Sequence, residues 1–153
     1  MKFYTAFLCT VVLTVVYSCS MQKKQQAAGT QGIKGNITWI EGNLMPGPDK
    51  KDGLKKGVQR TVFIYSVATA SQATGEAPLY QEVKSKLVAK VESDSTGFYQ
   101  CDLKPGRYSV LTKEESGKFF SGLSNDNMEL SPVEVLENAM IVYDIQINYK
   151  AVY

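Results

Sequence analysis

In the segment Ile141-Val-Tyr-Asp-Ile-Gln-Ile-Asn-Tyr-Lys150, apolar and polar side chains alternate along the chain. The apolar residues share one face of an extended strand and are Ile141, Tyr143, Ile145, Ile147 and Tyr149. The polar residues on the opposite face are Asp144, Gln146, Asn148 and Lys150. A period of two residues is typical of a strand that buries one face. The segment therefore predicts a strand of a β-sheet.

Shorter alternations of the same kind recur towards the N-terminus, and Gly, Pro, Asn and Asp separate them. No segment of this part of the chain has a convincing helical period. The residues predicted to share a face within each strand are Ile33, Gly35, Ile37 and Trp39; Phe63, Tyr65 and Val67; Leu87, Ala89 and Val91; Tyr99, Cys101 and Leu103; Tyr108 and Val110. The folded part is therefore predicted to consist of strands.

Two turns join the last three of these shorter strands. Ser93-Asp-Ser-Thr-Gly97 supplies a capping Asp and a permissive Gly, and Lys104-Pro-Gly106 follows the next strand. We therefore expect a hairpin that continues into a three-stranded meander. About seven short strands in all favour an antiparallel two-sheet β-sandwich of the immunoglobulin-like kind. Two long loops, residues 42–59 and 114–132, are the expected places for recognition.

The region around the predicted hairpin also resembles a known family. Residues 91–110 are similar to the signature of carboxypeptidase regulatory-like domains, which share a transthyretin-like or prealbumin-like sandwich. The matching residues are Asp94, Gly97, Tyr99, Leu103, Pro105, Gly106 and Tyr108. Residues 32–46 resemble the first strand and loop of small bacterial lipoproteins that carry this domain alone. The resemblance covers most of residues 33–153 and implies an accessory module of the kind found on peptidases, outer-membrane receptors and carbohydrate-active proteins.

The N-terminus has the pattern of a secretion signal. Lys2 precedes an apolar run from Phe3 to Tyr17 that contains no charge and is too short for a comfortable membrane span. Val16-Tyr17-Ser18-Cys19 resembles the bacterial lipobox, in which a signal peptidase cuts before a cysteine that carries a lipid. Cys9 is a poorer candidate because the large Leu8 precedes it. An uncleaved anchor helix or an ordinary secretory signal is the alternative interpretation.

The predicted domain organisation has three parts: a lipoprotein signal peptide at residues 1–18, a flexible tether with lipidated Cys19 at residues 19–32, and a β-sandwich domain at residues 33–153. Gln, Lys, Ala, Gly and Thr dominate the tether, which has almost nothing to bury. We expect a lipid-anchored protein of the cell envelope, in the outer membrane. Ser20-Met-Gln-Lys-Lys lacks the acidic cluster that marks surface export in some lipoproteins, which favours the periplasmic side.

Composition argues against several classes of function. The 17 basic and 15 acidic residues nearly balance, so nothing favours nucleic acid as a partner. The chain has no histidine, the commonest general base and zinc ligand. Cys101 alternates with apolar neighbours, which favours core packing over a nucleophile. The acidic residues lack the spacing of a calcium loop. We therefore expect no enzyme and no cofactor.

Two groups of side chains are candidates for contacts with a ligand or partner. Phe119 and Phe120 lie in the second long loop with Asn125 and Asp126, and adjacent residues of a strand point to opposite faces. Lys50 and Lys51 form a lysine group in the first loop together with Lys55 and Lys56. This group is either solvated or contacts an anionic partner or lipid headgroups. The first hypothesis is an adaptor that binds another envelope protein. The alternative is a carbohydrate-binding module that uses aromatic residues of the 114–132 loop.

Overall fold

The computed structural model of the chain describes residues 29–45 and 54–153. Within these residues the chain is a β-sandwich of two sheets, which confirms the predicted fold class. A single short 3-10 turn, Ala70–Gln72, accompanies the strands in this part of the chain. The strands are β1 (Gly32–Asn43), β2 (Leu54–Gly57), β3 (Thr61–Ser66), β4 (Ala73–Glu76), β5 (Leu79–Val83), β6 (Leu87–Glu92), β7 (Phe98–Asp102), β8 (Gly106–Lys113), β9 (Phe119–Phe120), β10 (Pro132–Val135), β11 (Met140–Val142) and β12 (Ile145–Val152).

The number of strands exceeds the expected seven because the irregular segments contain short strands of their own. The predicted C-terminal strand is interrupted after β11, where Tyr143 N donates to Lys34 O at 2.8 Å. Asp144 Oδ1 then accepts a hydrogen bond from Asn36 N at 2.8 Å, and β12 begins at the next residue. The alternation itself is confirmed, since Ile145 and Ile147 are buried while Gln146 and Lys150 are exposed.

The smaller sheet has five strands arranged around β1, which is long enough to pair with two strands on each side. It pairs antiparallel with β7 and then with β2. On its other side it pairs parallel with β11 and then with β12, so this sheet is mixed. The first and last strands of the domain therefore lie side by side. Such a pairing needs no tight turn, because the whole domain connects the two strands.

The larger sheet has seven strands, all paired antiparallel. Its strand order is β4, β5, β9, β8, β3 and β6, and β10 also pairs with β8. The turn that follows β8 and the short strand β9 lie in the second predicted long loop. That loop is therefore built into the sheet rather than projecting from it.

The predicted hairpin between β6 and β7 is wrong. β6 pairs with β3 in the larger sheet, whereas β7 pairs with β1 in the smaller sheet, so the three strands β6, β7 and β8 do not form a meander. The intervening turn has the expected chemistry, because Asp94 Oδ1 accepts hydrogen bonds from Thr96 N at 2.8 Å and Phe98 N at 3.0 Å. It carries the chain from one sheet to the other, which lets Ala89, Val91 and Tyr99 all face the same core.

The main core lies between the sheets and is formed by the predicted inward faces of β1, β7 and β12. Ile33, Ile37 and Ile147 are fully buried there. On β3, however, Val62 and Ile64 face this core, whereas Phe63 and Tyr65 pack in a second cluster on the outer face of the larger sheet. Both faces of β3 are therefore covered, a situation that an alternating pattern does not reveal.

The segments before β4 and before β10 cover this second cluster. Leu130 N donates to Ala68 O at 2.8 Å, and Ala70 N donates to Met128 O at 2.8 Å. Leu130 and Ala68 are themselves members of the cluster. The second long loop is thus fastened to the outer face of the larger sheet.

Candidate functional site

Strand β1 defines the two ends of the domain. Its twelve residues rise about 3.3 Å each, so Gly32 and Asn43 lie about 35 Å apart. The predicted tether joins the domain at Gly32, which we call the proximal end. The end near Asn43 is called the distal end and includes β2 and the turn after β8.

A large cleft opens at the distal end, between the two sheets. Its volume is about 570 Å³, within the range of ligand sites. We call it the distal cleft. The residues that form its walls are Trp39, Glu41, Lys56, Val58, Arg60, Leu79, Glu114, Glu115, Ser116, Lys118, Tyr149 and Lys150.

A buried carboxylate joins the walls of the distal cleft. The Glu114 side chain is 0% exposed. Its Oε1 accepts a hydrogen bond from Thr112 Oγ1 at 3.2 Å, and its Oε2 lies 3.3 Å from Arg60 Nε and 3.4 Å from Tyr149 Oη. Residues from β8, β12 and the start of β3 therefore meet at one group. This network ties the two sheets together at the distal end.

Trp39 lies beside this network and is 8% exposed. The Arg60 guanidinium carbon lies 5.9 Å from the Trp39 ring centroid, and the Lys150 ammonium lies 5.5 Å from it. The Tyr149 ring meets the Trp39 ring edge to face, with 5.2 Å between centroids. Both cations are within the distance at which an aromatic face attracts a positive charge. Trp39 thus helps to hold Arg60 and Lys150 in place.

A second, smaller cleft lies beside β12, and we call it the side pocket. Its volume is about 270 Å³. Phe120 and Ile145 form an apolar floor, and Leu123 stands at its wall. The polar side chains around it are Ser131, Tyr143, Asp144, Gln146 and Asn148. The site therefore combines one carboxylate and two amides with an apolar surface.

Phe119 and Phe120, the two phenylalanines predicted as contact residues, lie on different surfaces. Phe120 is 1% exposed and belongs to the main core, where it also reaches the side pocket. Phe119 is half-buried on the outer face, where its ring centroid lies 5.2 Å from that of Phe63 and 6.3 Å from that of Tyr65. The Lys113 ammonium lies 5.6 Å from the Phe119 ring centroid. The two rings therefore border different surfaces.

Asn125 shapes the turn that contains Asp126. Its Oδ1 accepts hydrogen bonds from Asn127 N at 3.1 Å and Glu129 N at 3.0 Å, and its Nδ2 donates to Glu129 Oε2 at 2.6 Å. Arg107 also reaches Glu129 Oε2, at 2.5 Å. Asp126 is exposed at the tip of this turn. Neither residue lines the distal cleft or the side pocket.

Several predicted sites lie outside the described residues. They are the lipidation site Cys19, its recognition residues Val16, Tyr17 and Ser18, and the loop residues Lys50 and Lys51. Lys55 and Lys56 of the same lysine group are described and lie in β2. Lys56 lines the distal cleft, so part of the lysine group reaches a cavity.

Sequence reasoning missed the central members of the distal cleft, Arg60, Glu114 and Tyr149. Arg60 precedes β3 and Glu114 follows β8, positions where charged residues are ordinary. Tyr149 belongs to a correctly predicted apolar face, and nothing local shows that its hydroxyl meets a carboxylate. Only the pairing of β3 with β8 brings Arg60 and Glu114 together.

The remaining nucleophile candidate, Cys101, is buried. Burial raises the pKa of its thiol, and the neighbouring Asp102 carboxylate adds to the effect. A thiol in this state is a weak nucleophile, because the thiolate is the reactive form. Its predicted place in the core is confirmed.

Residues 29–45 and 54–153 contain no group of three or more His, Cys, Asp or Glu side chains arranged to hold a metal ion. In the same residues, no helix has the length and apolar character needed to cross a membrane. Comparisons with protein-family models, with curated proteins and with solved structures give no match.

Proposed function

We propose that the chain is a lipid-anchored lipoprotein of the bacterial cell envelope, whose β-sandwich is a non-catalytic binding module of the carboxypeptidase regulatory-like kind. The signal sequence and the Cys19 lipobox support the anchor. The two-sheet sandwich is compatible with such a domain. The raised pKa and burial of the Cys101 thiol favour binding over covalent chemistry.

One observation carries the proposal: the distal cleft lies at the opposite end of β1 from Gly32, where the predicted tether would join the domain. Because the lipid holds the proximal end at the membrane, the distal end is the part farthest from it. A rigid strand of about 35 Å then acts as a spacer that presents the cleft to another envelope protein. In this proposal the module faces the periplasm from the outer membrane.

Exposed apolar side chains at the distal end support a protein partner. Leu54 of β2 pairs with Glu41, and Val152 of β12 pairs with Asn43 across the neighbouring strand. The exposed residues at this end are Met45, Leu54, Val152 and Tyr153. Exposed apolar groups gathered on one surface are typical of protein interaction sites.

A crosslinking pull-down of the acylated protein from intact cells tests this function. We expect a near-stoichiometric envelope protein to be captured, and a Leu54→Asp variant to lose it. Leu136→Asp is the matched control, because Leu136 is similarly exposed. It follows Val135, which pairs with Gly106 at the start of β8, whereas the distal end lies at the turn after β8. Capture that survives Leu54→Asp, or no enriched protein at all, would contradict the proposal.

The anchor is tested separately by a Cys19→Ser variant. We expect this variant to leave the membrane fraction, because it lacks the thiol that receives the lipid. Even a single acyl chain binds membranes only marginally. A protein without any acyl chain should therefore be absent from the membrane fraction. A Cys19→Ser protein that still partitions with membranes would contradict the lipoprotein proposal.

Carbohydrate binding is the second candidate, and the side pocket is the observation that favours it. The predicted 114–132 loop contributes Phe120 and Leu123 to this pocket, next to the polar groups Asp144, Gln146 and Asn148. Amides, a carboxylate and an apolar floor suit the hydroxyl groups and the carbon face of a sugar. A glycan-array screen tests it: saturable binding that is lost in Gln146→Ala supports the candidate, and no binding argues against it.

A further inference from the structure

Three lysines of the distal cleft come from three separate elements. Lys56 belongs to β2, Lys118 to the turn between β8 and β9, and Lys150 to β12. All three line the same cavity of about 570 Å³. The fold therefore converges three cations on one cleft from positions far apart in the sequence.

These lysines differ from Arg60, whose charge is already compensated. Arg60 pairs with the buried Glu114 at 3.3 Å and with Glu115 at 3.4 Å. Among residues 29–45 and 54–153, the ion pairs involve Arg60 and Arg107, and none involves the three lysines. Glu41 is the one further carboxylate in the lining, so four cations face three carboxylates and the net charge of the cleft is +1. A cleft of this kind attracts anionic groups.

The rest of the lining selects among anionic ligands. Val58 and Leu79 are half-buried in the cleft wall and offer an apolar surface. The Trp39 ring is nearly buried, with Arg60 and Lys150 near its face and Tyr149 in an edge-to-face contact. A sugar ring that needs an open aromatic face finds none at Trp39. An apolar side chain flanked by carboxylates fits better.

We propose that the distal cleft binds an acidic peptide segment of the partner protein, in which Asp or Glu side chains pair with Lys56, Lys118 and Lys150 and an apolar residue packs on Val58 and Leu79. This inference rests on the proposed function as a binding module and names the chemistry of its partner. Such charge complementarity sets specificity and the rate of association more than it sets affinity.

Trp39 provides a direct test, because it is the only tryptophan of the chain and lies in the cleft. The full acylated protein, in neutral detergent, is titrated with a short peptide in which Asp and Glu flank one Leu. We expect a saturable change in tryptophan fluorescence that weakens as salt rises to about 0.15 M, where charges are screened beyond about 8 Å. The same peptide with Asn and Gln should give no saturable change.

Lysine variants identify the site. Lys118→Gln and Lys56→Gln should each raise the Kd by about two- to five-fold, the range typical of exposed ion pairs. Lys118 contributes its backbone carbonyl to the turn, where it accepts a hydrogen bond from Glu114 N, so this substitution leaves that bond in place. Lys104→Gln is the matched control, since Lys104 lies outside the cleft, beside the start of β8.

The outcomes separate this inference from the proposed function. No saturable change with the acidic peptide, equal binding of the amide peptide, or an unchanged Kd in the double variant Lys56→Gln and Lys118→Gln would overturn the acidic-peptide site. Tighter binding of an acidic polysaccharide than of the peptide would also overturn it, in favour of an acidic glycan. If the double variant still captures an envelope protein from cells, the binding module stands and only the cleft assignment fails.

Discussion

At the scale of single residues, Glu114 is the group on which the distal end depends. It is a fully buried carboxylate that receives hydrogen bonds from Thr112, Tyr149 and Arg60. A buried charge is tolerated only when its partners replace the water that it has lost. The same network positions Arg60 beside Trp39, so the shape of the cleft and the stability of the fold share one set of contacts.

We expect Glu114→Gln to lower the free energy of unfolding by about 3 kcal/mol, because it leaves the mostly buried Arg60 without its buried counter-charge. Urea denaturation measures the loss. The control is Glu115→Gln, since Glu115 also pairs with Arg60 but its side chain is 87% exposed, and we expect a change of about 0.5 kcal/mol or less. Equal losses in the two variants would show that burial of the carboxylate does not decide how much each ion pair with Arg60 stabilises the fold.

Alkaline pH should destabilise the domain through its buried thiol and phenols. Burial raises the pKa of Cys101 above the usual thiol value of 9.0 and raises the pKa of Tyr99 and Tyr143 above 10.0. The folded state therefore holds these protons more tightly than the unfolded state. Their stabilising effect is complete below about pH 9 and is lost as the pH rises further.

Urea midpoints measured across this alkaline range check the prediction. Cys101→Ala should remove the earliest part of the decline and keep the later part that belongs to the tyrosines. A stability that stays constant above pH 9, or that rises, would contradict the assigned direction of the shifts.

At the scale of elements, the turn between β6 and β7 decides how the two sheets are connected. Gly97 has φ of 92°, and its carbonyl oxygen accepts a hydrogen bond from Ile37 N at 2.9 Å. Buried Ser93, at the other side of the turn, accepts from Arg60 N at 2.8 Å through its Oγ. The turn is thus held to β1 on one side and to the start of β3 on the other.

Gly97→Ala should cost about 3 kcal/mol of stability, because the left-handed φ disfavours a side chain and the new Cβ would collide with the Ile37 carbonyl oxygen. Gly117→Ala is the matched control. Gly117 has φ of 81° but open space around its missing Cβ, so its cost should be about 1 kcal/mol. Similar losses at both positions would mean that the close contact between the turn and β1 does not restrict the residue type at position 97.

At the scale of the whole molecule, the fold is closed by its first and last strands. β12 pairs with β1 in parallel, and Ile147 lies directly opposite Trp39 in this pairing. Ile147 is fully buried in the main core. The distal cleft is built on the same pair of strands, so the site forms only when the first and last strands of the domain have paired.

Ile147→Ala should lower the free energy of unfolding by about 3 kcal/mol, the usual cost of a cavity at a fully buried aliphatic residue. Val152→Ala, on the same strand but exposed, should change it by about 0.5 kcal/mol or less. Trp39 fluorescence and far-ultraviolet circular dichroism should report one common transition, because the cleft and the sheets depend on the same pairing. Separate transitions would contradict this dependence.

The pattern of residues along the chain is enough to predict the all-β class, the inward faces of β1, β7 and β12, the Asp94 turn and the core position of Cys101. These features are local, because a strand buries alternate residues and a turn uses neighbouring side chains. Long-range strand pairing is needed to explain why β6 and β7 enter different sheets and why Phe119 packs on the outer face. The same pairing brings Arg60, Glu114, Tyr149 and Trp39 together at the distal cleft. Strand partners depend on contacts between distant residues, which a two-residue period cannot specify.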